Sequence, residues 1–147
     1  MNKSLPDKWI RKAVSDALAN LEVASLEIPV FDTRVTRNIN KDIPNHYILM
    51  TTQSNAVDKN NKCEWFWDSE LLLDIVTSYD LPGNPGSRVM ADDILDAAMG
   101  EINALQLDPV SGLEIITRSF VFPNDISTST KNENIFRKLV RMELKIK

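Results

Sequence analysis

The chain has 147 residues, of which 43% are hydrophobic and 26% charged, which predicts one domain over residues 1–147 with a core of its own. Its 17 basic and 21 acidic residues give a net charge of −4, which argues against general binding to nucleic acid phosphates. One cysteine and one histidine exclude an intrachain disulfide and leave a Cys/His zinc site short of ligands.

The chain begins with charged and polar residues and then becomes periodic. Its start has no apolar stretch of signal-peptide type, and no later run approaches the about 20 residues of a membrane helix. We therefore expect a cytoplasmic protein with no membrane partner. Residues 6–22 repeat apolar side chains at helical spacing, which predicts a helix with one stripe against a sheet and Ser4 as its cap.

Three strands are predicted after this helix. Residues 28–35, "IPVFDTRV", and residues 47–54, "YILMTTQS", are rich in strand formers. The turn-forming residues 55–62 predict the tip of a hairpin, and residues 63–79 predict its long return strand. The pair Asp68-Ser69 predicts a bend or bulge in that return strand.

The return strand is apolar on both of its faces. Because side chains alternate along a strand, its run "ELLLDIV" divides between one face and the other: Leu71, Leu73 and Ile75 against Leu72, Asp74 and Val76. Just before this run, Trp65 and Trp67 point the same way if the segment is extended. Two interpretations of the tryptophans stay open, namely core residues and a subunit interface, where tryptophan is enriched.

The second half of the chain predicts one helix and two strands. The turn "DLPGNPGS" precedes a helix over residues 88–105 with Ser87 as N-cap, and residues 113–122 predict a strand. A polar loop over residues 123–134 then leads to a last strand whose buried face carries Val140, Met142, Leu144 and Ile146. The order α-β-β-β-α-β-β predicts an α+β fold: a mixed, mainly antiparallel sheet with a long β-hairpin, flanked by two helices.

Charged clusters are the candidates for chemistry. Asp92, Asp93 and Asp96 lie on the second predicted helix, where we favour a solvated face over a cation site. Four carboxylates of the return strand share a face: Glu64, Asp68, Glu70 and Asp74. This row makes a metal-dependent hydrolase or nuclease the enzymatic alternative. The chain has no phosphate loop, Rossmann fingerprint, serine elbow or metalloprotease motif, and we expect no cofactor and no metal.

The last strand carries a basic strip. Its members are Arg137, Lys138, Arg141 and Lys145, followed by Lys147. Such a strip suits contact with DNA or with an acidic partner subunit. The alternative is an edge strand whose charges protect it from aggregation.

The element order, together with "IPVFDTRV" and "ELLLDIV", resembles the tail-terminator (tail-completion) proteins of long-tailed bacteriophages from Trp9 to Ile146. The resemblance implies a non-enzymatic virion protein, assembled in the host cytoplasm, that forms a hexameric ring on the end of the tail tube. The ring would stop tube polymerisation and join the tail to the head connector. Its partners would be further copies of itself, the tail-tube protein and the head-tail connector, with DNA passing through the lumen only as cargo.

The same resemblance assigns roles to two regions. The long hairpin would supply the subunit interface through Trp65, Trp67, Lys59, Lys62, Leu71 and Leu73. The polar loop would contact the tube or neck through Ile126, Ser127, Thr128 and Lys131. Two alternatives remain: another neck or head-completion ring protein, and an adaptor that binds a protein partner through the edge of its last strand.

Overall fold

A computed structural model describes residues 5–33, 45–58 and 66–147 of the chain. The described elements are α1 (Asp7–Ala17), β1 (Glu22–Val23), β2 (Leu26–Glu27), β3 (Val30–Asp32), β4 (His46–Asp58), β5 (Phe66–Asp80), α2 (Val89–Ile102), a 3₁₀ helix (Pro109–Ser111), β6 (Ile115–Val121), β7 (Ile126–Ser129) and β8 (Glu133–Ile146). Two helices and a mixed, mainly antiparallel sheet confirm the predicted α+β class.

The main sheet has six strands built around β5 and β8. Its order is β3-β4-β5-β8-β6. The short strand β7 pairs with the same edge of β8 as β6 does, at the other end of that edge. Only β3 and β4 pair in parallel, while β1 and β2 form a separate antiparallel hairpin. The two central strands pair without interruption from Trp67 opposite Ile146 to Asp80 opposite Glu133. This long ladder fixes which side chains of β5 and β8 share a face.

One face of the sheet carries the core. The helix α1 contributes Ile10 and Val14, and α2 contributes Ile94, Ala98 and Ile102, all at most 1% exposed. They pack with alternate residues of the central strands: Leu71, Leu73, Ile75, Val140, Met142, Leu144 and Ile146. Burial of this apolar surface is the main stabilising contribution to the fold. We call this side of the sheet the core face and the opposite side the outer face.

The helices are shorter than the apolar periodicity suggests. Leu18 and Leu21 remain buried after α1 ends, because the chain turns back against the core through hydrogen bonds such as Leu21 N–H to the Leu18 carbonyl. At the other helix, Ser87 is not the N-cap: α2 begins at Val89 with Arg88 in that position. The Ser87 hydroxyl still accepts from the Val89 N–H at 3.3 Å.

Three predicted strand boundaries are wrong. Residues 55–58 belong to β4 and not to a hairpin tip, since they pair with residues 66–69 of β5. The predicted loop over residues 123–134 contains β7 and the first residues of β8. The first predicted strand begins two residues later, at Val30, and leaves the extended conformation at Thr33, which has a φ of 70°. Residues 34 and 35 of that prediction lie outside the described residues.

The bulge predicted at Asp68-Ser69 is also wrong. These residues pair in unbroken register with β4 on one side and β8 on the other, so neighbouring strands hold a polar pair that favours a turn by itself. The shifts in register lie between Met50 and Gln53 of β4 and between Ile115 and Thr117 of β6. Among the described residues, neither helix is long and apolar enough to cross a membrane.

Candidate interaction surfaces

The outer face of the sheet carries an apolar patch that neither helix covers. By register, Tyr47 lies opposite Val76, and Leu49 lies opposite Asp74, which in turn lies opposite Leu139. We define the outer patch by its six apolar members: Phe31, Tyr47, Leu49, Leu72, Val76 and Leu139. Five are half-buried and Val76 is buried, because they pack against each other, as the edge-on Phe31 and Tyr47 rings do at 5.9 Å.

An ion pair lies in the middle of this patch. Asp74 is only 3% exposed, and its two carboxylate oxygens accept from the Arg137 Nε at 3.2 and 3.1 Å. The hydrogen bond to Asp74 raises the pKa of the Arg137 guanidinium, and burial followed by the Asp74 charge raises the pKa of the Tyr47 hydroxyl. A buried carboxylate is tolerated only with such a partner, so Arg137 is needed to hold Asp74 in this patch.

The predicted basic strip is split by the pleat of β8. Arg137, Arg141 and Lys145 lie on the outer face, whereas Lys138 lies on the other side and bridges Asp92 of α2 and Asp125. Lys145 pairs with Asp58 at 2.8 Å, a contact that raises the pKa of the lysine. Three of the four predicted strip residues are therefore neutralised within the chain. Arg141 has no ion-pair partner in the described part of the chain.

The residues predicted for a subunit interface fall into three groups. Leu71 and Leu73 are each 1% exposed and belong to the core. Trp67 lies on the core face, half-buried against the core cluster. Trp65, Lys59 and Lys62 lie outside the described residues. The subunit interface on this strand stays a prediction. The apolar side chains of β5 that remain partly at the surface are those on its other face, above all Leu72.

The residues predicted for a tube or neck contact are exposed together. Ile126, Ser127 and Thr128 form most of β7, where every side chain is exposed, and Lys131 is exposed in the turn that follows. Beside them are apolar side chains that the sequence did not single out: Val121 at 41% exposed and Phe122 at 52%. We define the edge patch by Val121, Phe122 and Ile126.

The segment that carries the edge patch is tied to the rest of the fold. Arg88 donates from Nη2 to the Ser127 hydroxyl at 2.8 Å, and Lys138 reaches Asp125 at 3.3 Å. Asn134 donates from Nδ2 to the Pro85 carbonyl at 3.0 Å. The edge patch therefore lies on a segment that is fixed against the side of the sheet. A fixed segment loses less conformational entropy on binding than a free loop does, which suits a contact site.

The exposed side of α2 is acidic. Asp92, Asp93, Asp96 and Glu101 are exposed, and the helix contains no basic residue. Asp92 pairs with Lys138, whereas none of the other three forms an ion pair within the described residues. Arg118 of β6 fixes the end of this helix by donating to the carbonyls of Asn103 at 2.8 Å and Leu105 at 3.0 Å.

The acidic row of β5 is not gathered into one site. Asp68 and Glu70 are exposed, Asp74 is buried against Arg137, and Glu64 lies outside the described residues. In the described ranges, no three Asp, Glu, His or Cys side chains lie close enough to share a metal ion. His46 contacts the Tyr79 ring at 5.4 Å, and Cys63 lies outside the described residues.

The architecture defines the class of this molecule as an α+β domain with two helices on one face of a six-stranded sheet. A solved chain from the "Virion of native gene transfer agent (GTA) particle" has the same fold, with a TM-score of 0.60. The alignment covers 95% of this chain and 96% of that chain at 12% identity. No family model and no curated protein matches the sequence. At this identity the likeness establishes a shared fold.

Proposed function

We propose that this chain is a structural protein of a phage-like virion and, within it, the tail terminator. The observation that carries the proposal is the fold shared with a virion chain over nearly the whole of both molecules. Two chains that match over nearly their full lengths have the same elements available for contacts with neighbours. The assignment as a tail terminator is supported by the element order and by the sequence segments that contain β3 and β5, which resemble those of tail terminators.

The surfaces of the chain support an assembling role. A ring subunit needs contacts to its two neighbours and a further contact to the structure on which the ring sits. The outer patch and the edge patch are separate apolar surfaces on different parts of the sheet, and exposed apolar clusters mark contact sites. We assign the outer patch to contacts between copies and the edge patch, with Ser127, Thr128 and Lys131, to the tube or the neck.

The proposal describes a ring that binds the end of the tail tube, stops its growth and then binds the head connector. Its action requires binding and no covalent chemistry. The residues that matter are therefore those of the two patches, together with Arg137, which holds the charge of Asp74 inside the outer patch. DNA would pass through the ring lumen as cargo.

Growth of tail tubes in vitro tests this function. Purified tube protein polymerises in the presence or absence of this chain, and electron microscopy gives the length distribution. We expect shorter tubes with a ring on one end, and we expect Phe122→Ser with Ile126→Ser to remove the effect while the chain stays folded. Val110→Ser is a matched control, since Val110 is 83% exposed but lies in the 3₁₀ helix, outside the edge patch.

Unchanged tube lengths, with no binding to tube ends, would contradict the terminator assignment. Binding to the connector without binding to the tube would instead support a neck or head-completion ring. The adaptor alternative would require a monomer that binds a different protein through the β6 and β7 edge of β8.

A further inference from the structure

One edge of the main sheet is open in the part of the chain that the structure describes. β6 and β7 lie end to end along the same edge of β8, and each pairs with β8 alone. In an edge strand, every second residue directs its N–H and C=O groups away from the sheet. Such a row of backbone groups is a template for a further strand.

The register identifies the groups that β7 presents on this edge. The Thr130 N–H donates to the Glu133 carbonyl at 2.8 Å, so these two residues form a hydrogen-bonded pair. Because bonded and non-bonded pairs alternate along an antiparallel ladder, Thr128 also directs its backbone groups toward β8. The backbone groups of Ser127 and Ser129 therefore point to the open side, where they meet no strand among the described residues.

This edge has little of the protection that natural edge strands carry. Charges and prolines usually keep other strands from pairing with an edge. Residues 126–130, "ISTST", contain neither, and every side chain of β7 is exposed. The charges of β6 and of the connection before β7 are engaged within the chain, since Arg118 donates to the end of α2 and Asp125 pairs with Lys138. β7 is therefore open to pairing.

Apolar side chains are concentrated along the same edge. Four of the eight large hydrophobic side chains that are exposed in the described residues lie here: Ile116, Val121, Phe122 and Ile126. Val121 lies opposite Arg141 and Ile126 lies opposite Arg137, so both are on the outer face of the sheet. The serines of β7 lie on the other face. A strand that alternates apolar with small polar side chains would match both faces of this edge.

The opposite edge of the sheet lacks this combination. There β3 pairs with residues 48–50 of β4, and Arg11 donates from Nη2 to the Thr51 carbonyl at 3.4 Å. The exposed side chains of β4 are small: Thr52, Ser54 and Ala56. The edge of β6 and β7 thus differs by having large apolar side chains beside its open backbone.

Burial of the edge patch requires pairing of the backbone beside it. A partner that covered the patch without hydrogen bonds would leave the N–H and C=O groups of Ser127 and Ser129 unpaired and out of water, which costs free energy for each group. A partner segment in the extended conformation supplies matching groups at a spacing of two residues. The geometry therefore selects a strand as the occupant.

We propose that an extended segment of the tail-tube protein adds to the sheet as a strand along β7 and the end of β6. The inference rests on the proposed function, which assigns the edge patch to the tube or the neck. The tube is the partner because its growth stops only when its end is occupied. The added strand places apolar side chains beside Val121 and Ile126 and small polar side chains beside Ser127 and Ser129.

A proline substitution in β7 tests the added strand. Ser129→Pro removes an N–H that points to the open side and leaves the bonds between β7 and β8 in place, as prolines in natural edge strands do. We expect it to raise the concentration of the chain that halves mean tube length at least about tenfold. Ser129→Ala is the matched control, since it loses the same hydroxyl bond to Asn134 but keeps the N–H, and it should act as the wild type does. Thermal unfolding checks that both variants are folded.

Hydrogen exchange with residue resolution gives a second measurement, on the wild-type chain. Binding to tube ends should slow exchange of the Ser127 and Ser129 amides. The Thr128 amide is bonded to β8 with or without the tube protein and should change little. This alternation distinguishes an added strand from a partner that only covers the surface. If Ser129→Pro does not fold, the exchange pattern decides.

The outcomes separate this contact from the proposed function. Normal tube termination by folded Ser129→Pro, or slowed exchange without the alternation, would overturn the added strand and leave the terminator in place. Loss of self-association by Ser129→Pro, with tube binding intact, would assign this edge to a second copy and also overturn it. A wild-type chain that does not bind the tube protein would overturn the proposed function and the added strand together.

Discussion

Neighbouring side chains of β5 point to opposite faces of the sheet, and the two faces differ in what covers them. Leu71 and Leu73 are each 1% exposed beneath the helices, whereas Leu72 between them is half-buried on the outer face. The core face is complete within one chain. The outer face is apolar as well, but neither helix covers it. The difference separates residues that hold the subunit together from residues that are available to hold subunits to each other.

The largest expected effect on stability is at Leu73 on the core face, compared with its neighbour Leu72 on the outer face. Leu73→Ala removes a buried side chain from the core and should lower the free energy of unfolding by about 2–5 kcal/mol. Leu72→Ala makes the same chemical change on the outer face and should cost the isolated subunit less than about 1 kcal/mol, because the site is partly solvated and leaves no closed cavity. Chemical denaturation measures both.

Equal losses from these two variants would show that the outer face is as important to the subunit as the core. In an assembly assay we expect the opposite order of the two effects. There, Leu72→Ala should weaken self-association although the subunit is folded.

The ion pair inside the outer patch should give the next effect. Arg137→Leu leaves the Asp74 carboxylate buried without its partner and should cost about 3 kcal/mol of unfolding free energy. Asp74→Asn is the matched variant and should cost less, since the remaining guanidinium side chain is 39% exposed and can be hydrated. A smaller loss from Arg137→Leu than from Asp74→Asn would contradict this description of the patch.

A smaller loss is expected at the margin of the core face, where the turn after β5 meets Tyr79. Gly86 has a φ of 72°, and an added Cβ would overlap the Tyr79 ring. Gly86→Ala should therefore cost about 1–3 kcal/mol. Gly83→Ala in the same turn is the control: the nearest neighbour of its added Cβ would be a carbonyl at ordinary contact distance, 3.5 Å, and its effect should be near zero. Thermal unfolding of the two variants distinguishes them.

The smallest effect concerns pH at the same margin. Burial lowers the pKa of His46 below its ordinary value of 6.5, so the folded chain binds this proton less tightly than the unfolded chain. The contribution is fully present above pH 6.5 and is lost as the pH falls toward the folded pKa. Stability should thus decline as the pH falls below 6.5, and it should decline less in His46→Gln. An identical decline in both proteins would contradict this assignment.

The sequence predicted the fold well where one face of an element is buried. The alternation of Val140, Met142, Leu144 and Ile146 placed the last strand correctly, and the stripe of α2 placed its helix to within a few residues. Prediction failed where pairing partners decide the structure. Asp68 and Ser69 favour a bend locally, but β4 and β8 hold them straight from both sides.

The surfaces were predicted less well than the fold. Periodicity shows that Leu71 and Leu72 lie on different faces, but it cannot show which of two apolar faces the helices cover. The basic strip was visible in the sequence, yet its neutralisation depends on carboxylates that are distant along the chain: Asp74, Asp58, Asp92 and Asp125. The exposure of Phe122 depends on β6 and β7 lying along the same edge of β8.

Native mass spectrometry of the purified chain, alone and with its tail-tube protein, tests whether copies of the chain assemble through the outer face. We expect a closed oligomer with the outer face buried in every copy, which for six chains of 16.7 kDa has a mass of about 100 kDa. A chain that stays at 16.7 kDa under both conditions would contradict the assembling role assigned to it.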